Sequence, residues 1–290
     1  MRVRVPATTA NVGSGFDCIG IAVDWYDEVE LTLGGEGVCI EVEGEGADTV
    51  PRDASHLVVR SMQRGVEEWG DGVLPGCTLT CRNVIPHSRG LGSSAAAIVA
   101  GLALAWGLSR PDDLHIGELA RVSSLIEGHA DNAAAAVYGG ATLGWIDGDT
   151  VDVQPFALHD GLSTKVWIPT FEVPTKGARA VLPESVERGD AVHQAAAAAT
   201  LMLALTQRPE LLLRATADRL HQRYRADLMQ PSFTLMERLR EVGVPATISG
   251  AGPTVFAIGT ADDFALDFQV PTEGFRCLEL PVGAGVQLIR

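Results

Sequence analysis

Lysine is almost absent. Of the 22 basic residues in this 290-residue chain, only Lys165 and Lys176 are lysines; the rest are arginines. An anion site that depends on lysine therefore has two candidates at most. Basic charge is short overall, since 37 acidic residues against those 22 leave a formal net charge of −15. Such a surface repels nucleic acid and anionic membrane, so neither is expected as a partner, and any anionic ligand must be held by a local device. Long apolar runs are missing too. A bilayer span needs about 20 residues, whereas the stretch 95–108 is shorter and is interrupted by Gly101 and Gly107. The opening MRVRVPATTA alternates like a strand and carries no apolar signal region, so no secretory leader is expected. The five cysteines are odd in number and scattered. Cys77 and Cys81 share one face of a strand-like CTLTC, where core residues belong, and a reducing cytoplasm is the expected setting.

What is there reads as a globular chain, 46% hydrophobic and 20% charged. Its length suggests two domains. RVRVP, CIGIAV, DEVELTL, GVCIEVEG and residues 79–85 have strand character. Residues 53–69 have helical spacing with Asp53 as a cap, and residues 112–127 form an amphipathic helix started by Pro111. From Pro183 onward three helical segments (184–206, 209–224 and 233–242) precede strands at PATIS, TVFAIG, FRCLELP and GVQLI. Strands and helices mix in both halves, which indicates an α+β chain. The division is expected between Trp145 and Thr164, as domains 1–155 and 156–290.

The most informative stretch is PHSRGLGSSAAAIVAGLALAW, from Pro86 to Trp106. Gly90 and Gly92 allow a ligand to approach the backbone, Ser93 and Ser94 add hydroxyls, and the alanines from Ala95 start a helix easily. A helix N-terminus presents unpaired N–H groups and the positive end of its dipole. Together these make a phosphate site that needs no lysine, with a divalent metal to neutralise the remaining charge. The same residues satisfy the dinucleotide pattern G-x-G-x-x-A. A nicotinamide-dependent oxidoreductase is therefore an alternative, although Pro86 to Arg89 separate the strand from the first glycine. A Walker A loop is excluded, because no Lys-Ser/Thr follows the glycines.

Three ordered motifs resemble those of the GHMP kinases. They are Pro86-x-x-x-Gly90-Leu91-Gly92-Ser93-Ser94-Ala95, the N-terminal Val5-Pro6-Ala7-Thr8-Thr9-Ala10-Asn11 through Asp17, and Ser249-Gly250-Ala251-Gly252-Pro253-Thr254. Within that family, Asn11 to Asp17, Glu127-Gly128-His129-Ala130-Asp131-Asn132, Thr175-x-x-x-Arg179 and His221-x-x-x-Arg225 are most similar to the branch acting on L-homoserine. Ala130 and Ser14 stand where prolines are frequent. The resemblance implies an N-terminal ATP-binding domain like ribosomal protein S5 domain 2, with a left-handed β-α-β crossover, and a ferredoxin-like C-terminal domain. It implies ATP- and Mg²⁺-dependent phosphorylation of L-homoserine to O-phospho-L-homoserine, a step toward threonine. Another GHMP small-molecule kinase, such as one for mevalonate, is the alternative within the family. Relatives are often dimers, so a homodimer is compatible, although no stretch marks an interface.

The resemblance also implies roles by position. Asn11, Asp17, Asp131 and Asn132 would be catalytic. Asn11, Asp17, His129, Thr175, Arg179, Arg225 and Gly250 would bind substrate. Pro86, Arg89, Gly90, Leu91, Gly92, Ser93, Ser94, Ala95 and Ala96 would bind the nucleotide, and Ser94 with Glu127 the metal. Homoserine offers a carboxylate, an ammonium and a hydroxyl. Arg179 and Arg225 would clamp the carboxylate as bidentate forks, and Asp17 would take the ammonium.

Overall fold

The computed structural model describes residues 1–110, 112–265 and 267–290. Its first half builds strands β1 (Arg2–Ala10), β2 (Ile19–Leu33), β3 (Val38–Gly44) and β4 (Cys77–Asn83), with helix α1 (Leu57–Trp69) between the last two. Helices α2 (Ser93–Ser109), α3 (Ile116–Glu127) and α4 (Asp131–Tyr138) follow, then strands β5 (Ala141–Asp147) and β6 (Thr150–Phe156). Among the described residues one sheet runs β11-β1-β2-β4-β3, with β5 on β2 and β6 on β5; its first member, β11 (Gln287–Ile289), comes from the C-terminus. β3 and β4 are parallel neighbours joined through α1, which makes a β-α-β unit.

Local chemistry accounts for this arrangement. β1 alternates at first, with Val3 and Val5 buried and Arg2 exposed, and is then covered on both faces from Pro6 to Ala10. That is the signature of a central strand ending under other structure. α2 is apolar on all sides and buried from Ala95 to Trp106, apart from Ala97. It behaves as the core helix of this half, packed against α1, α3, α4 and β1.

The second half contains β7 (Ser163–Pro169), α5 (Thr175–Ala180), α6 (Arg188–Thr206), α7 (Leu212–Ala215), α8 (Gln222–Arg225) and α9 (Gln230–Glu241). β8 (Ala246–Ile248), β9 (Val255–Gly259), α10 (Ala261–Phe264) and β10 (Phe275–Glu279) complete it. Its four strands are antiparallel in the order β10-β7-β9-β8. In order along the half this is 4-1-3-2, the ferredoxin-like arrangement. The halves meet where Gly250 N donates to Ala10 O (3.1 Å) and Thr254 N to Arg89 O (3.2 Å).

Several sequence expectations are corrected. CIGIAV and DEVELTL form one strand, β2, whose register with β1 shifts between Pro6 and Ala7. α1 starts at Leu57 behind His56, because Asp53 spends its Oδ1 on Ser55 N (2.8 Å) and Ser55 Oγ (2.5 Å). α3 starts at Ile116, where His115 Nδ1 accepts from Glu118 N; the proposed start at Pro111 lies outside the described residues. The helix expected over 209–224 is broken. Asp218 accepts from Leu220 N, His221 N and Gln222 N, and so offers this backbone a competing turn.

Candidate active site

Residues 84–92 carry the chain from β4 to α2. Ser88, Gly90 and Gly92 lie at φ of 54°, 74° and 72°. A Cβ on Gly92 would sit 1.9 Å from Thr8 Oγ1, and one on Gly90 would sit 2.3 Å from Ser249 O. Both glycines are thus demanded by packing onto β1 and onto the turn after β8, as well as by any ligand. Ser249 Oγ donates to Gly90 O at 2.5 Å, and Thr8 N donates to Leu91 O at 3.1 Å. Gly92 caps α2 without a side-chain hydrogen bond, and no acidic residue occupies the first turn. The first N–H groups of α2 therefore remain available where Gly90 to Ser94 and Ala96 line a cleft of about 370 Å³.

Pro86, Arg89 and Leu91 line the same cleft, with two corrections to the sequence reading. Ala95 is fully buried and is not part of the lining. The Arg89 guanidinium is committed elsewhere. It donates to His87 O, Pro169 O and Thr170 O and pairs with Glu172 at 2.9 Å, which ties the loop to the end of β7.

At one end of the cleft the structure gathers Asn11, Asp17, His129, Asp131, Asn132, Thr175, Arg179, Arg225 and Gly250. They come from the turn after β1, the entry to α4, and the segments α5, α8 and 249–251. Asn11 is buried; its Nδ2 donates to Gly250 O (2.9 Å) and its Oδ1 accepts from Asp17 N (3.0 Å). Its amide therefore fixes the left-handed turn that presents Asp17. Asp131 is also buried. Its Oδ1 accepts from Asn132 N (2.6 Å) and meets His129 Nδ1 at 2.5 Å, while Asn132 Oδ1 accepts from Thr8 Oγ1 (2.8 Å). Burial alone would push the His129 imidazole down, but the hydrogen bond and charge of Asp131 outweigh it, and His129 keeps its proton to a higher pH than usual.

Asp17 and Arg179, expected to take opposite ends of one ligand, pair with each other through contacts of 2.8 and 3.2 Å. Arg225 departs further from expectation. It is buried, with Nε donating to Ala178 O (2.9 Å) and Nη1 to Gly250 O (3.0 Å) and His221 Nδ1 (3.1 Å). Only Nη2 has no protein partner among the described residues, so the bidentate fork is reduced to one nitrogen. Burial and the nearby Arg179 charge bring the Arg225 guanidinium down to about 10. His221 donates from Nε2 to Gly13 O (2.9 Å) while accepting at Nδ1, which fixes a neutral tautomer, and burial keeps its value low.

Ser94 Oγ donates to Glu127 Oε2 at 3.2 Å. Burial raises the Glu127 carboxyl, although the charge of His129 and the Ser94 hydroxyl pull the other way. Two oxygen donors beside the start of α2 fit Mg²⁺, which prefers oxygen and few protein ligands. Asp17, His129 and Asp131 also lie close enough to share an ion. That set includes a nitrogen, and Asp17 and His129 are already paired with Arg179 and Asp131, so it suits Mg²⁺ less well.

The opposite end of the cleft was missed by sequence reasoning. Asp27, Val29, Val50, Pro51, His56, Leu57, Asn83 and His87 line it. One signal was present. Alternation in DEVELTL puts Asp27 on the same face as Val29 and Leu31, so an acid faces an apolar layer.

Comparison with known proteins agrees with this geometry. The sequence profile of the GHMP kinases N terminal domain matches residues 56–140, and that of the GHMP kinases C terminal matches residues 199–268. The homoserine kinase of Cutibacterium acnes is 52% identical over 99% of this chain and 98% of its own length. That of Streptomyces coelicolor is 48% identical over 90% of this chain and 85% of its own. The crystal structure of homoserine kinase from Cytophaga hutchinsonii superposes with a TM-score of 0.85 at 30% identity, covering 100% of this chain and 97% of that one. Mevalonate kinase from L. major shares the fold at 17% identity with a TM-score of 0.67, over 98% of this chain and 96% of its own. With the glycine-serine loop, the helix it starts and the second half's strand order all in place, the chain belongs to the GHMP kinase family.

Proposed function

We propose that the chain transfers the γ-phosphoryl group of ATP to the hydroxyl of L-homoserine, giving ADP and O-phospho-L-homoserine, within the cytoplasm and toward threonine. The observation that carries the reading is the charge pair Asp17–Arg179 with the Arg225 guanidinium near it, in a cleft that leads to the start of α2. An amino acid is a zwitterion. Its ammonium complements Asp17, and its carboxylate complements Arg179 and the Arg225 nitrogen. A hydroxy acid would bring a carboxylate to Arg179, already shared with Asp17, and no ammonium to compensate Asp17, which disfavours mevalonate. The relatives named homoserine kinase support the same choice. The nicotinamide alternative loses its basis, because residues 84–89 separate β4 from Gly90.

The N–H groups at Gly90 to Ser94 hold the phosphates. Ser94 and Glu127 would hold Mg²⁺, which supplies positive charge to the phosphate oxygens. Asn11 positions Asp17, and His129 orients Asp131 through their hydrogen bond. Asp131 Oδ1 is occupied, whereas Oδ2 has no protein partner among the described residues and can accept a hydrogen bond from the acceptor hydroxyl. Phosphoryl transfer passes through a loose transition state, so this orientation matters more than early proton removal. The test is mass spectrometry of the products formed with ATP, Mg²⁺ and L-homoserine. One phosphorylated homoserine per ADP supports the reading, and ADP release without that product refutes it.

A further inference from the structure

With phosphates at Gly90 to Ser94 and the acceptor beside Arg179, the nucleoside is left with the cleft's other end. That end is walled mainly by apolar side chains such as Val29, Val50, Leu57, Ala97 and Ala100. Asn83, His56 and His87 add polar atoms, and Asp27 is the acid at this end. Its Oδ1 accepts from Val84 N (2.6 Å) and Ile85 N (2.9 Å), while Oδ2 has no protein partner among the described residues. The residue is only 9% exposed, and it lines the cleft. A carboxylate oxygen held in an apolar wall without a donor is costly, and a ligand N–H placed there relieves the cost.

The neighbourhood sharpens the choice of ligand group. The other acids lining the cleft, Asp17, Glu127 and Asp131, belong to the acceptor end. His56 and His87 line the base end, and burial keeps both imidazoles below their usual value, hence neutral near pH 7. His56 Nδ1 is buried away from the cleft and has no partner among the described residues, so it offers a ligand nothing. A largely apolar wall that carries an acceptor-only carboxylate suits an aromatic base with a donor at its rim.

We propose that Asp27 determines nucleobase specificity, its Oδ2 accepting a hydrogen bond from the exocyclic amine of a 6-aminopurine and disfavouring a base with a carbonyl oxygen there. The inference rests on the kinase reading above. Asp27→Asn isolates it, because the amide oxygen can still accept from Val84 and Ile85 while an NH₂ replaces Oδ2. The experiment measures kcat/KM of the whole enzyme for ATP, ITP and 2′-deoxy-ATP at saturating L-homoserine, with melting curves for both proteins.

Wild type should prefer ATP over ITP by about 10- to 150-fold, the range of one hydrogen bond to a charged group. Asp27→Asn should lose most of that preference through the KM for ATP, while the 2′-deoxy-ATP penalty stays as in wild type. An unchanged ATP-to-ITP ratio in the folded variant makes Asp27 a loop anchor only and overturns the proposal. Loss of the 2′-deoxy penalty instead means that the carboxylate reads the ribose, which also overturns it. Should the variant not fold, N6,N6-dimethyl-ATP decides on wild type alone. It has no N–H donor and should be used as poorly as ITP, whereas use equal to ATP overturns the proposal. Wild type without ATP-dependent phosphorylation of homoserine would refute the kinase reading itself, a result distinct from all of these.

Discussion

Replacing Arg179 with alanine separates a substrate contact from a structural one. Its guanidinium meets Asp17 at 2.8 and 3.2 Å, and the two side chains are 39% and 33% exposed. An ion pair that exposed contributes about 0–1 kcal/mol to stability. For a domain-sized unit such a loss moves Tm by no more than about 4 °C. A hydrogen bond from the guanidinium to the substrate carboxylate is worth about 1.5–3 kcal/mol. At 1.4 kcal/mol per factor of ten, Arg179→Ala should lower kcat/KM for L-homoserine about 10- to 150-fold. Arg179→Lys should recover part of this, since a point charge replaces the planar fork. The control substrate is 3-amino-1-propanol, which is homoserine without its carboxylate. Wild type should use it poorly, and Arg179→Ala should penalise it little further. ADP release under steady-state conditions and a melting curve supply both numbers. An equal loss toward both substrates, or a Tm drop well beyond the surface-pair range, would show that Arg179 holds the fold instead.

Gly92→Ala should lower Tm as well as ATP affinity, because its Cβ would meet Thr8 Oγ1 at φ of 72°; a scanning calorimetry trace unchanged from wild type would refute that packing role. Glu127→Gln should raise the Mg²⁺ concentration needed for half-maximal rate more than it weakens ATP binding. Burial raises the Glu127 carboxyl, so its ionised form is lost on acidification at higher pH than for an ordinary carboxylate. At limiting Mg²⁺, where proton and metal compete for this carboxyl, the wild-type acid limb of the rate should lie correspondingly high, and Glu127→Gln should remove it. By linkage, a raised carboxyl costs stability once pH rises through its native value. The variant should then be at least as stable as wild type at pH 8 and lose that advantage in acid. A pH–rate profile with the same acid limb in both proteins would assign the metal to another carboxylate.

The loop and its helix were legible because glycines and serines before an alanine run mark a tight turn into a helix; whether ligand or packing demands those glycines was not, since Thr8 and Ser249 press on them from distant segments. The strand order of the second half was implied by the resemblance, since alternation alone does not specify which strands pair. Arg89 was misread. It sits in the motif, yet its side chain turns to carbonyls at Pro169 and Thr170, a choice only the tertiary fold reveals. Arg225 shows the same effect, since Ala178 O and Gly250 O lie 47 and 25 residues away in the chain and consume most of its fork. The break at Asp218 lay within helical periodicity and yielded to a local side-chain turn. The base end of the cleft is assembled from β2, residues 50–58 and residues 83–87, and no single window of sequence contains it.

The central claim is that the acceptor end is built for an amino acid bearing a terminal hydroxyl. Its most direct test is kcat/KM for ADP release with L-homoserine, mevalonate, galactose, shikimate and L-serine, each with ATP and Mg²⁺. The account predicts L-homoserine as the best substrate by a wide margin, with L-serine poor because its shorter chain draws the hydroxyl back from the loop at Gly90 to Ser94. A higher kcat/KM for mevalonate than for L-homoserine would contradict it.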